Sequence, residues 1–171
     1  NKFLRGIANI YTTILRGIPL ATQLMIFYFV IFASSDNGVL VAMFAFGINS
    51  GAYVAEIFRG GIMSVDEGQF EAGRSLGFNY LQTMRHIIIP QAFKTVLPTL
   101  CNEFIVLIKE TAIVGYVGLM DIQKAGDFIK SATYKPIMPL IATAIIYFVI
   151  IKVLTLLLGL IEKHLRKSEV R

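Results

Sequence analysis

Between positions 137 and 161 the chain carries an apolar run long enough to cross a bilayer as one helix, and this run constrains the fold more than any other feature. Inside lipid no water satisfies the backbone, so such a segment must bond its own N–H and C=O groups and be helical. Three further candidate spans precede it, at 18–35, 39–58 and 91–119. The composition agrees, with 56% hydrophobic residues and a mean hydropathy of +0.68, more than a soluble core requires. The expectation is an all-α, polytopic membrane helical bundle forming one domain over 1–171, with the last span the most uniformly apolar. The single Cys101 lies in an apolar context without a partner, so no disulfide framework is implied and the residue reads as a small buried hydrophobe.

The net charge of +5 follows the same plan. Lys2, Arg5 and Arg16 precede the first span; Arg59, Arg74, Arg85 and Lys94 surround the loop after the second; Lys163, Arg166, Lys167 and Arg171 follow the last. The loop at 34–38 has no basic residue. By the positive-inside rule, the start, the 66–90 loop and the tail are expected on the cytoplasmic side, and this arrangement accounts for the charge without nucleic acid. Lys124, Lys130 and Lys135 lie in the opposite loop, accompanied by Asp121 and Asp127.

The 66–90 loop is a polar island between two apolar segments. Asp66 with Gln69, and Asn79 with Gln82, each have the spacing of a capping box, so two short helices are expected. Gly77 suits the left-handed conformation that ends the first, and Pro90 should stop the second at Ile89 or kink it into the next segment. Leu81, Met84 and Ile88 fall on one face of the second helix. On the first, Ala72 and Gly73 form a nearly bare patch flanked by Phe70 and Leu76, a surface that another protein could approach closely.

The spans also carry polar groups that need compensation in lipid. Lys94, Pro98, Asn102, Glu103, Lys109 and Glu110 all fall in the third, where Pro98 frees a backbone carbonyl. Asn102 and Glu103, near its middle, read as pathway residues, whereas Lys109 and Glu110 read as an outer-mouth or mutually paired set. Asn49 in Asn49-Ser50-Gly51 is open between helix packing and the pathway. Glu56 and Arg59, three apart, suit an interfacial ion pair, with Glu56 also a pathway candidate. Gln23 is a weaker candidate of the same kind.

Other chemistries fit poorly. Gly68 to Ser75 has the spacing of a phosphate-binding loop with Arg74 for its lysine, but no strand precedes it and its bulky helix formers would block a phosphate cradle. The helix, Gly77, helix arrangement imitates a DNA-binding helix-turn-helix, yet the adjacent spans leave no room for the third helix of such a domain. A hydrolase built on Ser50 would need a nearby base, and both histidines, His86 and His164, fall in segments expected to be cytoplasmic. Two isolated histidines make no metal site.

Glu71-Ala72-Gly73, three residues, Gly77, nine residues, Ile87, one residue and Ile89-Pro90 resembles the EAA loop of bacterial ABC-importer permeases. Gly73 replaces the pattern's second alanine and Ile89 its leucine. Arg16-Gly17-Ile18-Pro19-Leu20, the run from Asn49 to Gly60, Asn102-Glu103-Phe104-Ile105 and Lys109-Glu110-Thr111 resemble the polar amino-acid group of that family. The resemblance implies a type I ABC-importer permease in the bacterial inner (cytoplasmic) membrane, crossing it several times, with its first transmembrane helix preceding Asn1. It further implies that Glu71, Ala72, Gly73, Leu76, Gly77 and Phe78 dock in an ATP-binding cassette subunit, which holds the ATP and magnesium, so this chain would be no enzyme and carry no cofactor. An extracytoplasmic amino-acid-binding protein and a second permease chain, identical or paralogous, complete the expected partners, with membrane lipid around them. The competing reading is a channel or structural membrane protein whose loop docks another partner; it gives no reason for two capped helices at fixed spacing, which a motor-driven importer requires.

Overall fold

The computed structural model describes residues 2–167, with side chains described as far as 163. The side chains of His164, Arg166 and Lys167, and the whole of Arg171, lie outside that description. Among the described residues the fold is helical throughout, without a strand. Helix α1 (Lys2–Gly17) is amphipathic, with Phe3, Leu4, Ile7, Ile10 and Ile14 exposed on one side. Ile18 and Pro19 end it, and α2 (Leu20–Ile26) continues through a π-helical turn (Phe27–Ile31) at 104° to α1. Helix α3 (Gly38–Met63) follows, started by Asn37, whose side chain accepts from the Leu40 N–H.

The loop carries α4 (Gly68–Ser75) and α5 (Tyr80–Thr83), which runs through a π turn (Met84–Ile88) into α6 (Ile89–Glu110). A 3-10 helix (Thr111–Val117), α7 (Ile122–Thr133) and α8 (Ile137–Lys167) complete the chain. The 91–119 segment is therefore not one α-helix: α geometry ends at Glu110 and tightens to 3-10, and Gly118 closes it at φ +79°. Nor does Pro98 interrupt α6. The loop expected between 119 and 137 contains α7, capped by Asp121, whose carboxylate accepts from the Gln123 and Lys124 N–H groups.

Two helices, Gly38–Met63 and Ile137–Lys163, are long and apolar enough by themselves to cross a membrane, and the bent pair α1 and α2 meets the same standard together. Close packing rests on small residues, as it must where lipid is as apolar as leucine. A side chain at Gly61 of α3 would collide with Val96 of α6, one at Gly126 of α7 would come within 2.5 Å of Thr143 of α8, and one at Gly51 of α3 would meet the Tyr11 hydroxyl of α1. The buried cluster of Leu24, Ala42, Ala45, Phe46 and Val117 joins α2, α3 and the 3-10 helix. Cys101 is only half-buried.

Candidate functional site

The loop departs from its sequence reading in instructive ways. The second capping box forms: Asn79 accepts from the Gln82 N–H at 2.9 Å and Gln82 accepts from the Asn79 N–H at 2.9 Å. The first does not. Asp66 accepts instead from the Gly68 N–H at 2.7 Å, leaving Glu67 at the cap without a side-chain bond, and the Gln69 amide oxygen accepts from Gln91 of α6 at 3.2 Å. Gly77 adopts φ +79°, and the Phe78 N–H bonds back to the Gly73 carbonyl, the closure expected after a left-handed residue.

The patch at Ala72 and Gly73 is divided between two environments. Ala72 is exposed, but Gly73 is buried, and a Cβ there would lie 2.6 Å from both Cγ2 and Oγ1 of Thr83. Its close approach is to its own loop. Phe70 stacks on Tyr80, with ring centroids 6.4 Å apart, so α4 lies firmly on α5. Glu71, Ala72, Leu76 and Gly77 face outward, with Phe78 half-buried behind them. Leu81, which spacing puts on one face with Met84 and Ile88, is 75% exposed, while Thr83 and Ile88 are the buried pair. Their separation of five residues matches the i to i+5 hydrogen-bond offset of the π turn, which also carries the chain through Pro90 without stopping the helix.

The intramembrane polar residues divide as well. Gln23 and Asn49 are buried, and both bond to the backbone at the α1–α2 break. The Gln23 amide donates to the carbonyls of Leu15 at 2.6 Å and Ile18 at 2.8 Å, and the Asn49 amide donates to the Leu15 carbonyl at 3.0 Å and to Gln23 Oε1 at 3.2 Å. Carbonyls released where a helix ends in a low-dielectric interior are costly until paired. These two side chains thus hold the bend, with their N–H donors committed within the chain. Among the described residues no buried side-chain polar atom lacks a partner.

Glu56 pairs with Arg59 as expected, and also with Arg16 of α1 at 3.9 Å, an inter-helix contact that spacing along α3 does not reveal. Arg16 lies 5.3 Å from the Tyr53 ring centroid. A cleft of about 400 Å³ opens at the break, lined by Arg16, Pro19, Asn49, Tyr53 and Glu110 among others. Glu110 lines this cleft and Lys109, one residue earlier and exposed, does not, since adjacent residues on a helix point about 100° apart. Asn102 is exposed and Glu103 half-buried, both outside this lining. A second, larger cleft of about 860 Å³ shares Arg16 and Gly17 with the first and extends along α1 and α3 past Arg5, Glu56 and Arg59. Arg16, Tyr53 and Glu110 are the members that sequence reasoning missed: the Gly17-Ile18-Pro19 break signals a bend, but no spacing shows which distant side chains meet there. Beyond the membrane helices, Lys130 donates to Asp127 on α7 and holds its carboxyl below the usual range. Among the described residues no cluster of histidine, cysteine or acidic groups suits a metal.

Comparison with known proteins gives this architecture a context. Residues 1–167 match the family described as binding-protein-dependent transport system inner membrane component. A Rickettsia bellii chain assigned as glutamine transport system permease protein GlnP is 40% identical over 96% of this chain and 77% of its own length. The arginine transport system permease protein ArtQ of Bacillus subtilis is 40% identical over 95% and 76%. A crystal structure of an amino acid ABC transporter with histidines superposes with a TM-score of 0.87 at 44% identity, over 95% of this chain and 77% of that one. With the family covering nearly every residue, and relatives at this level of identity, the chain belongs to the inner membrane components of binding-protein-dependent transport systems and is a permease subunit of an ABC importer.

Proposed function

We propose that this permease carries polar amino acids across the bacterial inner membrane as a multi-pass chain, with the 66–90 loop cytoplasmic and α4 docked to a separate ATP-binding cassette subunit that hydrolyses ATP. An extracytoplasmic amino-acid-binding protein delivers the substrate, and a second permease subunit, identical or paralogous, completes the assembly. The docking surface is Glu71, Ala72, Leu76 and Gly77 with the edge of Phe78, and Gly73 supports it from behind. The names of the relatives, which include glutamine and arginine permeases, support the substrate class.

The observation that carries the substrate reading is the cleft at the helix break, with Arg16 and Glu110 both in its lining. A free amino acid brings a carboxylate and an ammonium, and each needs an opposite charge in a low-dielectric passage. Arg16 suits the carboxylate, because Arg59 already holds Glu56 and the two guanidinium groups share one acidic partner. Glu110 suits the ammonium. Glu103, two turns earlier on the same face of α6, with Asn102 beside it, offers the next station. Gln23 and Asn49 shape the cleft through the bend they hold, and Glu56 keeps Arg16 near it.

The test is transport of glutamine, glutamate, arginine and histidine by the purified complex in proteoliposomes with its binding protein. Glu110→Gln and Glu103→Gln should each lower transport per assembled complex by about tenfold, the scale of one hydrogen bond to a charged group. An unchanged normalised rate removes that carboxylate from the pathway. For orientation, Gln82→Cys in a Cys101→Ser background should resist membrane-impermeant thiol reagents in intact cells and label after lysis; labelling before lysis overturns the topology.

A further inference from the structure

Helix α4 is only eight residues long and joins its neighbours through turns at both ends, one of them at Gly77 with φ +79°. What makes it rigid must therefore come from side chains. The Phe70–Tyr80 stack and the Gly73–Thr83 contact fasten α4 to α5, but α5 reaches α6 only through the π turn at Met84–Ile88. A π turn carries an extra residue and interrupts the regular i to i−4 ladder, so a push on α5 can be taken up there before it reaches α6.

The Gln69–Gln91 hydrogen bond bypasses that turn. Gln91 donates one amide hydrogen to the Ile87 carbonyl of its own helix at 3.0 Å and the other to Gln69 Oε1 at 3.2 Å. The first bond aims the second, because the planar amide has both hydrogens fixed relative to each other. Both glutamines are half-buried, which shields the bond from competing water. On the far side of Gln91, Ala92 and Val96 are buried against Gly61 of α3, so the inner end of α6 is gripped by α3 and α4 together. From there α6 runs unbroken to Glu110 in the cleft.

We propose that the Gln69–Gln91 amide bridge is the strut through which movement of α4 is passed to α6, making both glutamines positioning residues for the coupling of ATP hydrolysis to transport. The inference rests on the reading of α4 as the ATPase-docking helix. It goes further in assigning the transmission to a specific pair.

The experiment uses the assembled complex with its ATP-binding subunits, carrying Thr99→Cys on the exposed side of α6 in a Cys101→Ser background. Thiol labelling of Thr99→Cys is timed with and without ATP and vanadate. Nucleotide should change the rate in the otherwise unaltered complex. Gln91→Leu removes both amide bonds and should reduce that nucleotide-dependent change by about fivefold, the effect on a two-state balance of losing the one that joins α4 to α6, while the ATPase subunit still co-purifies. The pair Gln69→Glu with Gln91→Lys rebuilds the bridge as a charged one and should restore the response. A full nucleotide response in Gln91→Leu, no response in the unaltered complex, or no rescue by the charged pair overturns the strut. Loss of the ATPase subunit from Gln91→Leu also overturns it, since the residue would then shape the dock rather than transmit from it. If Gln91→Leu does not accumulate, Gln69→Leu carries the same expectations. Leu76→Asp tests the underlying reading separately: retention of the ATPase subunit by that variant counts against docking on α4, whatever Gln91 does.

Discussion

The chain interrupts its helices at 17–19 and again around Pro90, and it resolves the two interruptions by different physics. At the first the axis turns by 104° and backbone carbonyls are left inside the bundle, where Gln23 and Asn49 reach in from α2 and α3 to pair them. At the second the helix widens for one π turn and continues, so the backbone largely resolves the problem itself. The first solution consumes buried polar side chains; the second takes only one amide hydrogen of Gln91, for the Ile87 carbonyl, and leaves the other to reach Gln69 of α4. A polar residue at membrane depth is therefore not one kind of signal. Gln23 and Asn49 serve the backbone, whereas Arg16 and Glu110 look into a cleft that backbone bonding does not fill.

The sharpest way to break this comparison is Asn49→Leu. It leaves the buried Gln23 Oε1 without its donor and removes one bond from the Leu15 carbonyl, so the purified complex should lose about 2–3 kcal/mol of stability, read as a lower thermal-inactivation midpoint. If the midpoint stays put, the break is as self-sufficient as the π turn. Gly73→Ala comes next. The new methyl must displace Thr83, at a cost of about 1–3 kcal/mol by overpacking, and coupling should fall with it. Adding Thr83→Ala removes both atoms at 2.6 Å and should recover most of the loss; failure to recover would mean that the contact does not set the position of α4.

Gly77→Val asks for φ +79° from a β-branched residue, roughly 1–2 kcal/mol of strain. Transport should uncouple from ATP hydrolysis with the amount of inserted protein near normal, so wild-type transport by this variant would separate the turn from coupling. The smallest effect belongs to Asn79→Ala, which removes one half of an exposed capping box at about 1 kcal/mol. It should raise hydrogen exchange at the Gln82 amide without moving the inactivation midpoint by more than a few degrees.

The sequence by itself determined the class of the molecule and the local grammar of its loop. Apolar runs long enough for a bilayer leave a chain no choice but helix, and Gly77, Asn79 and Gln82 act through neighbours within three residues, so their roles follow from spacing alone. Only the tertiary structure decided what distant side chains do. Asp66 and Gln69 had the spacing of a capping box, but Gln69 bonds across 22 positions to Gln91, and a bond of that separation leaves no periodic trace. Gly73 is bare for the sake of Thr83, and Glu110 shares a cleft with Arg16, because packed helices bring together residues that lie far apart along the chain. Local propensity is written in consecutive residues, whereas the partners of a buried charge or amide are settled only when the helices pack and each polar group in a low-dielectric interior takes the nearest one that satisfies it.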